Sequence, residues 1–155
     1  MDRNSSARII IGSDHAGFSL KEAIKPYLAD MKLSVTDIGT NCADSVDYPD
    51  FGIRVAEKVS SGEFNRGILV CGSGVGMTIV SNKYPRVRAV LCLDEETARL
   101  SRLHNDTNIL VLAGRRTELE KAKEIIEAWL NTEFEGGRHQ RRLNKISDIE
   151  KNLYR

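Results

Sequence analysis

The chain has 155 residues, 41% of them hydrophobic, and a formal net charge of +1. That length and apolar content suit one compact domain spanning residues 1–155, and near-neutrality supplies no global field for nucleic acid or an anionic membrane surface. No apolar run approaches the roughly 20 residues that span a bilayer, the segment Met1-Asp-Arg-Asn-Ser-Ser-Ala lacks the basic-then-apolar plan of a signal peptide, and Cys42, Cys71 and Cys92 make neither a disulfide framework nor a paired metal motif, so the expected setting is the reducing cytoplasm.

Along the chain, apolar runs alternate with helical periodicity. Strands are predicted at Arg8–Ile11, Ser34–Ile38, Gly67–Cys71, Arg88–Leu93 and Asn108–Leu112. Helices are predicted at Phe18–Met31, Pro49–Ser60, Met77–Tyr84, Glu95–Leu103 and Glu118–Leu130, with a last one near Arg138–Tyr154. Leu20, Ile24, Tyr27, Leu28 and Met31 share one face of the first helix. Pro49 suits a helix's first turn, and Thr117 followed by Glu120 fits a capping box. Strand–helix alternation of this kind predicts an α/β fold, a five-stranded parallel sheet with helices on both faces. In the last helix Leu143, Ile146, Ile149 and Leu153 form a stripe that packs either on a partner subunit or on its own domain.

The chemistry concentrates in two glycine-rich loops that follow strands, at the edge where parallel sheets bind ligands. In Gly67-Ile-Leu-Val-Cys-Gly-Ser-Gly-Val-Gly-Met-Thr78, a thiol at a strand end, Cys71, precedes Gly72, Gly74 and Gly76. Bare N–H groups entering a helix make a concave anion cradle. In Gly12-Ser-Asp-His-Ala-Gly17, Asp14 and His15 are site candidates; otherwise Asp14 caps the following helix and His15 lies on the surface. Familiar phosphate loops are excluded. A Walker A motif ends in Gly-Lys-Ser/Thr, whereas this loop ends Gly76-Met77; a cysteine-phosphatase loop needs arginine where Met77 stands; the glycine spacing is not that of a dinucleotide fingerprint. Asp94 falls near a ribose-binding acid's place, which keeps a nucleotide-binding module as a rival.

Positive charge gathers at Arg138, His139, Arg141 and Arg142, where Arg138 and Arg142 share a helix face and suit a phosphate, or form a solvated basic surface. Arg115 and Arg116 after the fifth strand are either further candidates or merely loop residues. His104-Asn-Asp-Thr-Asn108 follows a helix and precedes a strand, so it belongs at the amino edge of the sheet, opposite the glycine-rich loops; His104 either closes the helix or acts on another subunit's site.

Taken together, Gly12-Ser-Asp-His-Ala-Gly17, Ser45-Val-Asp-Tyr-Pro49, Cys71-Gly-Ser-Gly-Val-Gly-Met77, Asn82-Lys83, Leu100-Ser-Arg-Leu-His-Asn-Asp-Thr-Asn108 and Glu135-Gly-Gly-Arg-His-Gln-Arg-Arg142 closely resemble the type B ribose-5-phosphate isomerases, in the sugar-phosphate isomerase family that includes galactose-6-phosphate isomerase subunits. The resemblance covers almost the whole chain. It implies a Rossmann-like fold, a homodimer or tetramer with sites at the subunit interface, no metal or organic cofactor, and interconversion of ribose 5-phosphate and ribulose 5-phosphate through a cis-enediolate. It assigns Cys71 as base and His104 to ring opening, with Asp47 or Asp14 assisting, and Ser73 to proton transfer at oxygen. It gives Gly72, Gly74, Val75 and Gly76 to the enediolate, Tyr48 and Asn105 to the sugar, and Arg115, Arg138, Arg142 and His15 to the phosphate. A six-carbon aldose 6-phosphate (allose or galactose) is the alternative substrate within the family.

Overall fold

The computed structural model describes residues 8–154. In chain order it contains β1 (Arg8–Ser13), α1 (Phe18–Asp30), β2 (Ser34–Asp37), α2 (Tyr48–Ser60), β3 (Arg66–Cys71), α3 (Val75–Ser81), β4 (Ala89–Leu91), α4 (Glu95–Asn105), β5 (Ile109–Ala113), α5 (Leu119–Asn131) and α6 (Arg138–Leu153). Each element foreseen from periodicity is present, with ends that differ by a few residues: α3 stops at Ser81, short of Tyr84.

The five strands form one parallel sheet in the order β2-β1-β3-β5-β4. Right-handed crossovers explain the two layers. The chain steps one way across the sheet through α1 and α4 and the other way through α2 and α3, so the two pairs cover opposite faces. Strand pleating sends alternate residues to each face. Ile9, Ile11, Ile68, Val70, Leu110 and Leu112 pack with Leu20, Ile24, Leu28, Ile125, Ile126 and Trp129. Ile10, Leu69, Cys71, Ile109 and Val111 pack with Val55, Ala56, Val59, Phe64 and Met77. Each fully buried Ile or Leu here contributes about 1.5–3 kcal/mol of transfer free energy.

The structure decides two local alternatives and corrects one expectation. Asp14 does not occupy the N-cap of α1; Gly17 does, and Asp14 Oδ1 instead accepts the Gly17 N–H at 2.9 Å. Thr117 builds no capping box: α5 begins one residue later than that motif requires, its N-cap is Glu118, and Thr117 Oγ1 is buried without a hydrogen-bond partner among the described residues. The apolar stripe of α6 is covered by its own domain only at Leu143; Ile146, Ile149 and Leu153 are 45%, 58% and 72% exposed. Among the described residues, no helix is long and apolar enough to cross a membrane.

Candidate active site

From β1 the chain leaves toward β2 on one side, while β3 lies on the other, so the loops after β1 and β3 diverge and open a crevice at the carboxyl ends of the strands. A cavity of about 420 Å³ lies there. Its walls are Asp14, His15 and Ala16 after β1; Cys71, Gly72 and Ser73 after β3; Tyr48 and Gly76 at the starts of α2 and α3; and Arg115 and Arg116 after β5.

Pleating explains the position of the thiol. Cys71 alternates with Val70, so its side chain turns to the face covered by α2 and α3, where both helices begin beside the cavity. It is 4% exposed and forms part of the cavity wall. Cys92 offers a contrast: burial, with the nearby Asp94 carboxylate adding to it, pushes its thiol up to about 12, which leaves it protonated at neutral pH. Cys42 is exposed and lies outside the cavity wall.

The loop after Cys71 is shaped by backbone constraints. Gly74 has φ +80°, a left-handed turn that L side chains rarely adopt, and it starts α3. The first bond of the helix runs from the Thr78 N–H to the Gly74 carbonyl at 3.2 Å, and the Val75 N–H donates to Ser73 Oγ at 3.2 Å. The N–H groups of Gly76 and Met77 precede any i−4 acceptor. Gly114 N donates to the Cys71 carbonyl at 2.7 Å and Arg115 N to the Gly72 carbonyl at 3.1 Å, tying the β5 loop to the β3 loop. The Arg115 side chain therefore lies over Gly72, its Nη1 3.3 Å from where a Cβ would stand. On the opposite wall the ring of His15 is tied to the backbone of Val46, its Nδ1 3.1 Å from the Val46 nitrogen and 3.2 Å from the Val46 carbonyl oxygen.

A second cluster occupies the amino edge of the sheet. His104 lies in the last turn of α4, which ends with Asp106 in the left-handed region at φ 45°. Arg102 Nη1 donates to Asp106 Oδ1 at 2.8 Å, Arg88 Nε to the Asp106 carbonyl at 2.9 Å, and Trp129 Nε1 to Thr107 Oγ1 at 2.9 Å, so the turn after His104 is firmly held. The His104 ring stacks on His139 of α6, centroids 4.3 Å apart and planes 15° apart. Desolvation, together with His104 and Arg138, lowers the pKa of His139 and favours neutral imidazole. Arg138 and Arg142 flank it, exposed and without an ion pair among the described residues. His104, Glu135 and His139 bring three ligand atoms within 4.8 Å of one another, the one metal-competent grouping among the described residues.

Of the residues singled out in the sequence, Asp14, His15, Tyr48, Cys71, Gly72, Ser73, Gly76 and Arg115 meet in the cavity, and Gly74 and Val75 form the turn that supports it. His104, Arg138 and Arg142 meet at the far edge, and Asn105 lines an apolar groove there beside α6. Asp47 does not join the cavity; as N-cap of α2 it lies in a neighbouring depression with Asp50 and Arg54. Asp94 is not free to hold a ribose: its Oδ1 accepts the Thr97 N–H at 2.7 Å as the cap of α4, and this bond lowers its pKa. The nucleotide reading thus loses its acid. The pairing of His104 with His139 and Glu135 was invisible in the sequence, where these residues stand more than 30 positions apart.

A parallel α/β sheet brings a thiol, an imidazole and an arginine together in one cavity at its carboxyl edge, and the chain belongs to the ribose/galactose isomerase family, whose model matches residues 9–146. Among individual relatives, the chain is 46% identical to ribose-5-phosphate isomerase B of Escherichia coli over 143 residues, covering 92% of this chain and 96% of that protein. It superposes on Clostridium thermocellum ribose-5-phosphate isomerase B with a TM-score of 0.91 at 50% identity, covering 94% of this chain and 98% of that one. It also superposes on the Mycoplasma genitalium ribose-5-phosphate isomerase B structure with bound ribulose-5-phosphate, with a TM-score of 0.90 at 42% identity, covering 94% and 97%.

Proposed function

We propose that this protein is an aldose–ketose isomerase that interconverts D-ribose 5-phosphate and D-ribulose 5-phosphate, a step of the non-oxidative pentose phosphate pathway. The observation that carries the reading is the Cys71 thiol in the wall of a cavity shared with His15, Tyr48 and Arg115. The Escherichia coli and Mycoplasma genitalium relatives support the substrate.

The C2 proton of the open-chain aldose is weakly acidic, and a positioned base supplies roughly a hundred- to ten-thousand-fold. Cys71 thiolate takes that proton. The C2–H electron pair becomes the C1=C2 double bond of a cis-enediolate as the aldehyde oxygen takes up negative charge. The N–H groups at the entry to α3 stabilise that charge, an interaction for which loss of a single donor typically costs about 100- to 1,000-fold. Ser73 carries the proton between O1 and O2, and Cys71 returns its proton to C1, giving the ketose. No electrons leave the substrate, so neither redox cofactor nor co-substrate enters the balance. Arg115 and His15 hold the phosphate, which orients the reacting carbons.

His104, Asn105, Arg138 and Arg142 belong to the opposite edge of the same sheet. They reach the chemistry when a second copy presents its amino edge to the cavity, His104 then opening the furanose ring and the arginine pair gripping the phosphate. The exposed Ile79, Ile146, Ile149 and Leu153 support a homodimer or tetramer. Residues 1–155 then work as one isomerase domain in each subunit. Three unpaired cysteines support a cytoplasmic setting.

The deciding experiment is a coupled assay of ketose formation from ribose 5-phosphate and, separately, allose 6-phosphate. Turnover of the pentose with kcat/KM well above that of the hexose is expected. Preference for the hexose would move the protein to the six-carbon branch, and turnover of neither would overturn the assignment.

A further inference from the structure

Two features draw Glu135 and His139 onto His104. The Glu135 N–H donates to the Leu103 carbonyl at 3.0 Å, and from there Gly136 and Gly137, both at positive φ, turn the chain into α6. One residue into that helix, His139 stacks on the His104 ring. His139 is 5% exposed, yet its Nε2 has no hydrogen-bond partner among the described residues. It faces Glu135 Oε2 at 3.8 Å, too far for a hydrogen bond. A buried ring nitrogen left in this state asks for a further partner.

We propose that His104, Glu135 and His139 form a binding site for a divalent transition ion of the zinc type, and that filling it withdraws His104 from isomerisation. The second half rests on the ring-opening role given to His104 above. Two imidazoles and one carboxylate are the donor set of open four-coordinate zinc sites, with water in the fourth position. Magnesium and calcium, which seek oxygen ligands, do not fit it. The ligand atoms already lie within 4.8 Å of one another. An imidazole binds a metal along its ring plane at about 2.0–2.1 Å. Two rings stacked with planes 15° apart cannot both do so at once. His139 is buried and His104 only partly so, and therefore His104 is the ring that swings out of the stack. Stacked and metal-bound His104 exclude each other, which makes the ion an inhibitor. The nearby Arg138 and Arg142 oppose a dication and weaken its binding.

Equilibrium dialysis of Zn²⁺ against the full-length protein carrying Cys42→Ser and Cys71→Ser, which removes the exposed thiol and the thiol in the cavity wall, measures the site without those competitors. One ion per chain is expected, with affinity reduced about tenfold or more by His139→Gln or Glu135→Gln, since loss even of an outer-shell partner typically costs 10- to 100-fold. Glu135 is exposed, so Glu135→Gln remains informative if His139→Gln fails to fold. Absence of binding, or equal binding by Glu135→Gln, overturns the site. In the protein with its native cysteines, isomerase activity should fall along the same Zn²⁺ curve, recover with chelator, and require about tenfold more Zn²⁺ in the Glu135→Gln protein, each read against its own metal-free rate. Zn²⁺ bound through these residues with activity unchanged overturns the coupling to His104 and leaves the site standing. If no sugar phosphate is turned over at all, the isomerase reading fails, while dialysis still decides the site.

Discussion

Tyr48 lies flat against the bare backbone of Gly76: a Cβ at Gly76 would stand 2.5 Å from Tyr48 Cζ. The first residue of α2 thereby occupies the space that any side chain early in α3 would take, and both face the cavity that holds Cys71. Gly76→Ala therefore displaces the Tyr48 ring from its place in the cavity wall. Alanine is the better helix former by about 1 kcal/mol, so the variant's Tm should hold or rise while kcat/KM for ribose 5-phosphate falls by about 100-fold, the scale of an ångström-level misplacement. In the double variant with Tyr48→Ala, the loss should be no larger than for Tyr48→Ala alone. Additive losses would show that Gly76 acts on the substrate through its own backbone.

Removing the thiol separates chemistry from binding. Cys71→Ala should lower kcat by about 10²- to 10⁴-fold, the usual worth of a placed base. Calorimetric binding of a non-isomerising phosphate analogue should stay within a few-fold of the parent. Normal turnover by this variant would assign the base elsewhere, and neither of the other cysteines is suited to it, since Cys92 is held protonated by burial and Cys42 lies outside the cavity wall.

Cys71 and His104 occupy opposite edges of one sheet, β3 delivering the first at its carboxyl end and α4 delivering the second just before β5. Shared sites make a distinct prediction. Equal amounts of Cys71→Ala and His104→Ala subunits, exchanged to equilibrium, should recover about a quarter of parental activity, because half of the dimers are hybrids and each hybrid has one intact site across its two-fold interface. Exchange is checked by mass spectrometry of tagged subunits. Complete exchange with no recovered activity would mean that His104 does not act across subunits.

The arginine pair of α6 should govern affinity rather than chemistry. Arg138→Ala and Arg142→Ala each remove a charged donor worth about 1.5–3 kcal/mol, so KM should rise roughly ten- to hundredfold with kcat changed much less. Neither guanidinium is committed to an ion pair among the described residues, so both are free for a ligand. Steady-state kinetics over a range of ribose 5-phosphate concentrations measures this. Unchanged kinetics would make the pair a solvated surface.

The five strands were legible because their apolar runs are short and bounded by turn residues, and because the pleat sorts Leu69 and Cys71 from Ile68 and Val70 without tertiary information. The cavity loops were legible for a related reason: a parallel sheet brings every carboxyl end to one edge. What stayed hidden depends on contacts between distant segments. Asp47 sits beside Tyr48 in the chain, yet the start of α2 turns one into the cavity and the other into a neighbouring depression. The exchange of β4 and β5 in the sheet order has no local signal, nor does the hydrogen bond between the Val46 backbone and His15, 31 positions away. His139 read as part of a basic patch that follows Glu135, until the backbone bond from Glu135 to Leu103 brought both to His104.

A last prediction concerns the edge strand β2, which holds the far side of the sheet through charge. The Lys21 side chain is fully buried, and its ammonium lies 2.5 Å from Asp37 Oδ2, which Lys25 also reaches at 2.9 Å. Burial raises the pKa of Asp37, but the hydrogen bonds from Lys21, Lys25 and the Gly39 N–H outweigh it and leave the carboxylate below its usual 3.8. Asp37→Asn leaves the buried Lys21 with only Glu22, at 3.0 Å, as an anionic partner, which should cost about 3 kcal/mol at pH 7, the lower end for a broken buried pair. Since the unfolded chain takes up this proton before the folded one does, the stabilisation is complete above the ordinary carboxylate range and disappears as pH falls through the depressed folded value. Urea denaturation followed from pH 7 to pH 3 should therefore show parent and Asp37→Asn stabilities converging as pH drops below about 4. A constant gap across that range would mean that the aspartate stabilises the fold through packing and backbone geometry rather than through its charge.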